Sequence, residues 1–505
     1  MKFQQPHLVP AARRSALGLA ALAMLASGCS DPFGFSAEAV EGPEVCAASR
    51  EWLPNTPPLD QFKPLPHPAT ECPFYRGGWQ NFLVATQPDA EGNPAILSYP
   101  TIDTMFESAQ PRAENRSVLG DIRQAGGRQI LIDQNGNSLY YGIEVNQAYA
   151  DFIDAHGLHT REDVENADPK LFFPPGVVEF KSAWQIVEEG DSSDDYITVN
   201  TTVPTLSQGE DGHIVEDRDA PRDVRARLLA LHVVFTLPGH PEFIWATFEH
   251  STGTPDAKAA DGKRNVAPAS VGNPDLSDPN NLQDETVISS DDHLLYDGGT
   301  AANAGNQAIA EQDLQLDEAT QKFPDQHTSI YRMFPASKSN TIDPDDAISS
   351  LNANVEALFA SAADSLDPAD RRSHYRMVGA VWMDKPAFYN ENSALQNDET
   401  SPFFDEDGFV DDIRENGSDS DFSVLAGEDR LSSTAMESFT QAPDSFPNCF
   451  TCHNTQAVTA KGVPIDRDSS GVKLLEPKLL NVSHVLSQFI LEESEAAPPA
   501  EEPVP

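Results

Sequence analysis

Between residues 128 and 250, and again at 375–383, the chain carries a series of β-prone runs, the clearest alternating apolar and polar residues with the period of two that marks a strand with one face in the core. Two β-prone runs, Gln129 to Asp133 and Ser138 to Val145, flank Asn135–Gly136. That dipeptide tolerates the positive φ that both central positions of a tight turn require, so the pattern predicts a hairpin over 128–145. Residues 177–187 alternate cleanly, with Val178, Phe180, Trp184 and Ile186 on one face and Glu179, Lys181 and Gln185 on the other. Residues 196–203, 225–237, 243–248 and 375–383 read as further strands, 225–237 and 243–248 being joined at Pro238–Gly239–His240–Pro241. Helical spacing is confined to three stretches. These are 146–156, 345–366 (Ile348, Leu351, Val355, Leu358 and Phe359 on one side, with Pro368 beyond the end) and 479–491. Strands joined by turn-rich connections predict an α+β protein. It has a large, mainly antiparallel β body, peripheral helices and a C-terminal helical segment.

Other stretches carry no periodicity. Residues 30–70 are rich in Pro, Ala and Glu; 253–305 and 384–425 are long and rich in turn residues and acids; the end from 492 is Glu-, Ala- and Pro-rich. No internal repeat is present. The expected organisation is a signal peptide at 1–28, a tether or irregular arm at 29–70, and a β-rich body with long acidic loops at 71–425. The C-terminal helical segment follows at 426–491, then a disordered acidic tail at 492–505.

The N-terminus changes the setting. Lys2, Arg13 and Arg14 precede an apolar run from Ala16 to Ala26, too short for a stable bilayer span, which ends in Ala26–Ser27–Gly28–Cys29. Small residues directly before a cysteine resemble a bacterial lipobox, which implies lipidation of Cys29 as the mature N-terminus; the alternative is an ordinary cleaved signal with Cys29 a bystander. Export by the general secretory route is expected, to the bacterial periplasm or cell envelope, as an outer-membrane lipoprotein. A lipid anchor would hold it at the membrane, since no other stretch approaches ~20 apolar residues. The net charge of −47 excludes a general affinity for nucleic acid or anionic lipid.

Five cysteines divide by context. Cys29 is the lipidation candidate. Cys46 and Cys72 are expected to pair as a disulfide in an oxidising compartment, the alternative being two unrelated thiols. The remaining pair stands in Cys449–Phe450–Thr451–Cys452–His453. Two cysteines spaced by two residues can form thioethers to both vinyl groups of one haem, and the adjacent histidine then falls under the iron as proximal ligand. Chance production of Cys-x-x-Cys-His in so cysteine-poor a chain is on the order of one in a thousand. A redox dithiol lacks its surrounding βαβ pattern here, and half of a zinc site lacks a second Cys/His pair. One covalent haem c is therefore expected, which makes the C-terminal helical segment at 426–491 a haem-binding segment.

The sixth ligand is open. No methionine follows Met436. Downstream, the sole histidine is His484, in an apolar helical stretch; Met436, 13 residues before Cys449, is a second candidate, and another ligand or none is the third possibility. Two protein ligands favour electron transfer, whereas an open position admits peroxide, oxygen or small gases. The start of a calcium loop at Asp466, Asp468 and Ser470 lacks its closing Glu.

Several segments taken in order resemble a large family of bacterial periplasmic mono-haem cytochrome c proteins. They are Gly78–Trp79–Gln80–Asn81–Phe82, the run from Val178 to Trp184, Ile244 to His250, Tyr375 to Trp382, and Thr434 to Gln441 leading into the haem motif. The resemblance spans roughly 75–455 and implies a sizeable β-rich body with one C-terminal haem. It raises Trp245, Glu249, His250, Met436 and Glu437 as haem-pocket residues, which adds His250 to the distal candidates; core packing is the alternative for Trp245 and Trp382.

The leading expectation is a lipid-anchored c-type cytochrome that carries single electrons in the cell envelope, with a redox protein or a small-molecule electron donor or acceptor as partner. The alternatives are a haem oxidoreductase of peroxidase or oxygenase type with an open distal site, and a haem-based binding or sensing lipoprotein.

Overall fold

The computed structural model describes residues 46–53, 71–105, 119–124, 129–169, 171–238, 240–259, 286–301, 304–333, 347–368, 370–383, 425–427, 431, 433–441, 449, 453 and 478–486. The strands are β1 (Tyr140–Val145), β2 (Val178–Ile186), β3 (Thr198–Gln208), β4 (Ile214–Leu237), β5 (His240–His250), β6 (Lys258–Ala259), β7 (Thr286–Val287), β8 (Tyr375–Met383) and β9 (Leu425–Gly427). Seven form one sheet in the order β1-β2-β4-β5-β8-β9, with β3 also paired to β4; β6 and β7 make a separate ribbon. Every pairing is antiparallel, so the protein is α+β with the sheet class that its turn-rich connections predict.

β4 is the spine. Over Ala226–Phe235 one edge pairs with β2, while the other edge serves β3 over Ile214–Arg227 and β5 over Ala230–Leu237. A bulge at Ala183/Trp184 gives β4 one extra residue opposite β2. The hairpin expected at 128–145 forms, but of the Asn-Gly pair only Gly136 takes a positive φ, because the turn closes from Gly136 N–H to Asp133 O and leaves Asn135 on the ordinary side. Gly136 sits at φ +80°, Asp133 accepts from Asn135 and Asn137 through its Oδ1, and the first arm joins by isolated bridges. The stretch expected as a bare loop from 253 is more built than that. Its described parts contain the β6–β7 ribbon and the buried Leu295 and Tyr296.

One face of the sheet carries the main core, with Phe180, Trp184, Val233, Phe235, Ile244, Ala246 and Phe248 inward. It is covered by α1 (Cys72–Ala85), which has Pro73 in its first turn, where the missing N–H costs nothing. Gly77 and Gly78 hide this helix from a propensity reading, but they let it approach: a Cβ on Gly77 would meet the Phe235 ring at 2.8 Å, and one on Gly78 the Met377 Cε at 2.8 Å. Phe82 then stacks on Phe248 at 4.4 Å. Further helices are α2 (Ile102–Met105), α3 (Gln147–His156), α4 (Arg161–Asn166) and α5 (Ala347–Ala362). α5 buries the five apolar residues its spacing selected, and α3 is capped by the Asn146 side chain and by Gly157 at φ +63°. A disulfide joins Cys46 to Cys72. Closing a loop over a separation of 26 residues contributes about 3 kcal/mol in the chain-entropy account.

The final helix expected over 479–491 is preceded by a 3-10 turn, Leu479–Val482, and is α-helical over His484–Leu486, beyond which the residues lie outside the described ones. Among the described residues no helix is long and apolar enough to cross a membrane. Cys29 and the acidic tail lie outside the described residues; of the arm expected at 29–70, residues 46–53 are described, and there the 3-10 turn Arg50–Trp52 buries Trp52 in the main core.

Candidate haem-binding site

The second face of the sheet positions the site, and the register orders it into rows. Val145, Glu179, Val234, Trp245 and Val381 lie side by side across β1, β2, β4, β5 and β8. The next row is Ile143, Lys181, His232, Thr247 and Gly379; the third holds Tyr141, Ala183, Ala230 and Glu249. The first row is the floor of an apolar cluster that also includes Tyr149, Phe152, Phe173, Phe243, Leu479, Leu480, Val482, Val485 and Leu486. The third row underlies another, with Leu131, Leu139, Leu295, Ile330, Ala435 and Met436.

Segment 478–486 is strapped over the first row. Leu479 N–H donates to Pro169 O at 3.0 Å and Lys478 Nζ to Ala167 O at 2.7 Å, while its leucines and valines supply the apolar contact. Between this strap and the sheet stands His453. Its N–H donates to Cys449 O at 2.9 Å, one α-helical turn that sets Cys449 and His453 on the same side. The imidazole lies against Trp245, with ring centroids 3.9 Å apart and planes inclined at 44°. Its Nδ1 is 3.1 Å from Val482 O. A carbonyl can only accept, so Nδ1 carries the proton, and in the neutral ring Nε2 is the nitrogen with the lone pair. Metal-bound histidines are oriented this way, by a second nitrogen that donates to a carbonyl.

These residues fit a covalently attached haem. The turn joins the first cysteine to the histidine, Cys449 is half-buried against the apolar cluster, and the imidazole is fixed in the tautomer that binds iron through Nε2. Cys452 lies outside the described residues. Trp245 and Trp382 are both buried, as core packing requires, but they differ in use: Trp382 stacks on Phe74 at 4.2 Å, whereas Trp245 holds the His453 ring.

Of the distal candidates, two are held away from His453. Met436 is fully buried in the third-row cluster, separate from the cluster that Cys449 packs against. His250 lies five residues along β5 from Trp245, ~17 Å at ~3.4 Å per residue. Two ligands of one iron stand only ~4 Å apart, given metal–nitrogen bonds of about 2 Å. The His250 ring instead stacks on Tyr196 at 3.6 Å, Nε2 lies 3.1 Å from Asp195 O, and burial pulls its pKa down to about 4. His484 sits two residues after Val482, on the strap whose Val482 carbonyl lies on the Nδ1 side of His453. Its side chain lies outside the described residues.

Glu249 and Glu437, raised by the resemblance, are structural here. Glu249 takes Arg332 Nη2, Thr434 N–H at 2.7 Å and Thr434 Oγ1 at 2.7 Å; Arg332 continues to Asp256, which also takes Arg376. Glu437 lies 2.9 Å from His232 Nε2, and His232 Nδ1 is 2.8 Å from Thr247 Oγ1. Burial alone would raise the Glu437 carboxyl, yet His232 and Lys181 hold it below its ordinary value. These bonds fasten residues 433–441 across the second face, just before the haem motif.

The sequence reading missed one group. Ser483 Oγ donates to Glu179 Oε2 at 2.5 Å and lies 2.8 Å from Tyr149 Oη, all three side chains buried. Burial pushes the Glu179 carboxyl up to about 7, although Ser483 opposes it. A glutamate on the polar side of an alternating strand gives no sign that a strap from 300 residues away will cover it. Among the described residues no three His, Cys, Asp or Glu side chains gather to hold a bare metal ion. No family model, curated protein or solved structure matches this chain.

Proposed function

We propose that this chain is an exported mono-haem c-type cytochrome, anchored through Cys29, that passes single electrons between partners in the cell envelope. One observation carries the reading: the donation from His453 Nδ1–H to the Val482 carbonyl, on a helical turn with Cys449 and against Trp245. Bound haem supplies a one-electron couple. Cys449 and Cys452 hold it covalently, His453 presents Nε2 to the iron, and Val482 and Trp245 keep the imidazole from turning. The apolar floor of Val234, Val381 and Leu480 excludes water from the proximal side and lowers the local dielectric. The β body is then a scaffold that braces the haem segment and offers a surface to a redox protein or a small electron donor or acceptor.

The positions of Met436 and His250 favour a second reading, in which the sixth site is open and the chain is a haem oxidoreductase or a gas-binding sensor. Absorption spectra of oxidised and reduced protein, with and without carbon monoxide, separate the two. A low-spin spectrum indifferent to carbon monoxide supports the carrier. Rapid carbon monoxide binding with a high-spin ferric band overturns it in favour of an open site. A Cys449→Ala protein with unchanged covalent haem and spectrum contradicts two-thioether attachment.

A further inference from the structure

The strap that orients His453 also carries, among the described residues, the side-chain donor to a buried carboxylate. Val482 lends its carbonyl to His453, and the next residue, Ser483, donates to Glu179. Glu179 is in the same cross-strand row as Trp245, two strands away, ~10 Å at the usual strand spacing. We propose that Glu179, with Ser483 and Tyr149, is a proton site coupled to the haem, taking up one proton from solvent when the iron on His453 takes up one electron. The inference rests on the haem reading above.

The surroundings isolate this carboxylate. β1 brings Ile143 and Val145 to the same face, α3 brings Tyr149, β4 brings Val234 and β5 brings Trp245; Phe173 and the strap complete the enclosure. Tyr149 is the titratable group in this shell, and burial first, then the Glu179 charge, pushes its phenol well above the ordinary range. The next row holds Lys181 and His232, whose charges act on Glu437, and Lys478 on the strap donates to Ala167 O. Among the described residues no lysine or arginine forms an ion pair with Glu179.

In such an enclosure the charge at the iron is felt directly. One added electron makes the site more negative, so the Glu179 carboxylate binds its proton more tightly; the electron comes from the redox partner and the proton from solvent, and the enclosed site's net charge is conserved. Burial already places this carboxyl near 7, within the range where the coupling operates. Serine and tyrosine hydroxyls offer the proton a path of exchangeable hydrogen bonds.

The test is a redox titration of the holoprotein and its Glu179→Gln variant from pH 5 to 9. In wild type the midpoint potential falls with rising pH near neutrality, with a slope approaching ~59 mV per tenfold change in proton activity. In Glu179→Gln that slope disappears. A Ser483→Ala protein, which keeps the carboxyl and loses the donor that lowers its pKa, shows the sloping range at higher pH. Redox-difference infrared spectra gain a protonated-carboxyl band on reduction in wild type and lack it in Glu179→Gln. Equal slopes in wild type and Glu179→Gln overturn the coupling, assigning it to the haem's own propionates, and leave the haem reading intact; absence of covalent haem overturns that reading itself.

Discussion

Glu249 and Glu179 are two buried glutamates on the same face of one sheet, each approached by a segment from the C-terminal third. Glu249 meets Arg332 and two donors from Thr434, and Arg332 is shared with Asp256. Glu179 meets one serine hydroxyl. The first arrangement compensates a charge and fixes a backbone; the second leaves a charge undercompensated in an apolar cluster, and its pKa rises to about 7. His453, against Trp245, stands at the undercompensated end. One face thus has a locked end and a poised end, with His232–Glu437 between them.

The largest effect should come from breaking the locked end. Arg332→Met leaves Glu249 and Asp256 buried beside an apolar side chain, and denaturant unfolding should show a loss of ~3–5 kcal/mol. A loss under 1 kcal/mol would mean that the network is not desolvated as described.

Next comes the poised end, where the effect depends on pH. The folded-state pKa of Glu179 lies above its ordinary value of 4.5, so between those values the folded protein binds more protons than the unfolded chain. Its contribution to stability is therefore full at low pH and is lost as pH rises through about 7. Glu179→Gln does not titrate. Its stability relative to wild type should increase with pH, by on the order of 3 kcal/mol between pH 4 and pH 8. A pH-independent difference in thermal unfolding would contradict the raised value.

The phenol above Ser483 contributes less. Tyr149→Phe removes one buried hydrogen bond and should cost about 1 kcal/mol at neutral pH, with the haem spectrum unchanged. The smallest effect lies between the two ends. Glu437→Gln weakens a partly exposed pair, and urea midpoints should report no more than ~1 kcal/mol. A cost as large as that of Arg332→Met would remove the distinction between locked end and bridge.

Much of this was legible in the sequence, for physical reasons that differ by element. Strand alternation in 177–187 selected both faces correctly, because a period of two survives whatever packs on it. The Asn135–Gly136 turn and the α5 stripe were equally local. α1 was not, because Gly77 and Gly78 are poor helix formers chosen by the closeness of Phe235 and Met377. In the candidate site, the Cys449–His453 motif suggests its proposed chemistry without the fold, since it lies within five residues. The partners of His453 needed all of it: Trp245 and Val482 are separated by more than 200 residues and meet through sheet register and a strap. The distal candidates were the least legible: Met436, suggested by chain spacing, packs in the third-row cluster, and His250, suggested by the resemblance, stacks on Tyr196. Glu179 was invisible, being a polar residue in a polar position until the strap covers it.

The central claim is that Cys449, Cys452 and His453 hold one haem over Trp245. Its most direct test is the intact mass of the protein expressed with c-type haem maturation, read with the reduced spectrum after denaturation in pyridine. The account predicts a mature chain heavier by one haem, with a spectrum showing both vinyl groups consumed, and loss of both features in a Cys449→Ala, Cys452→Ala protein. A wild-type chain that emerges folded, exported and without covalent haem would contradict it.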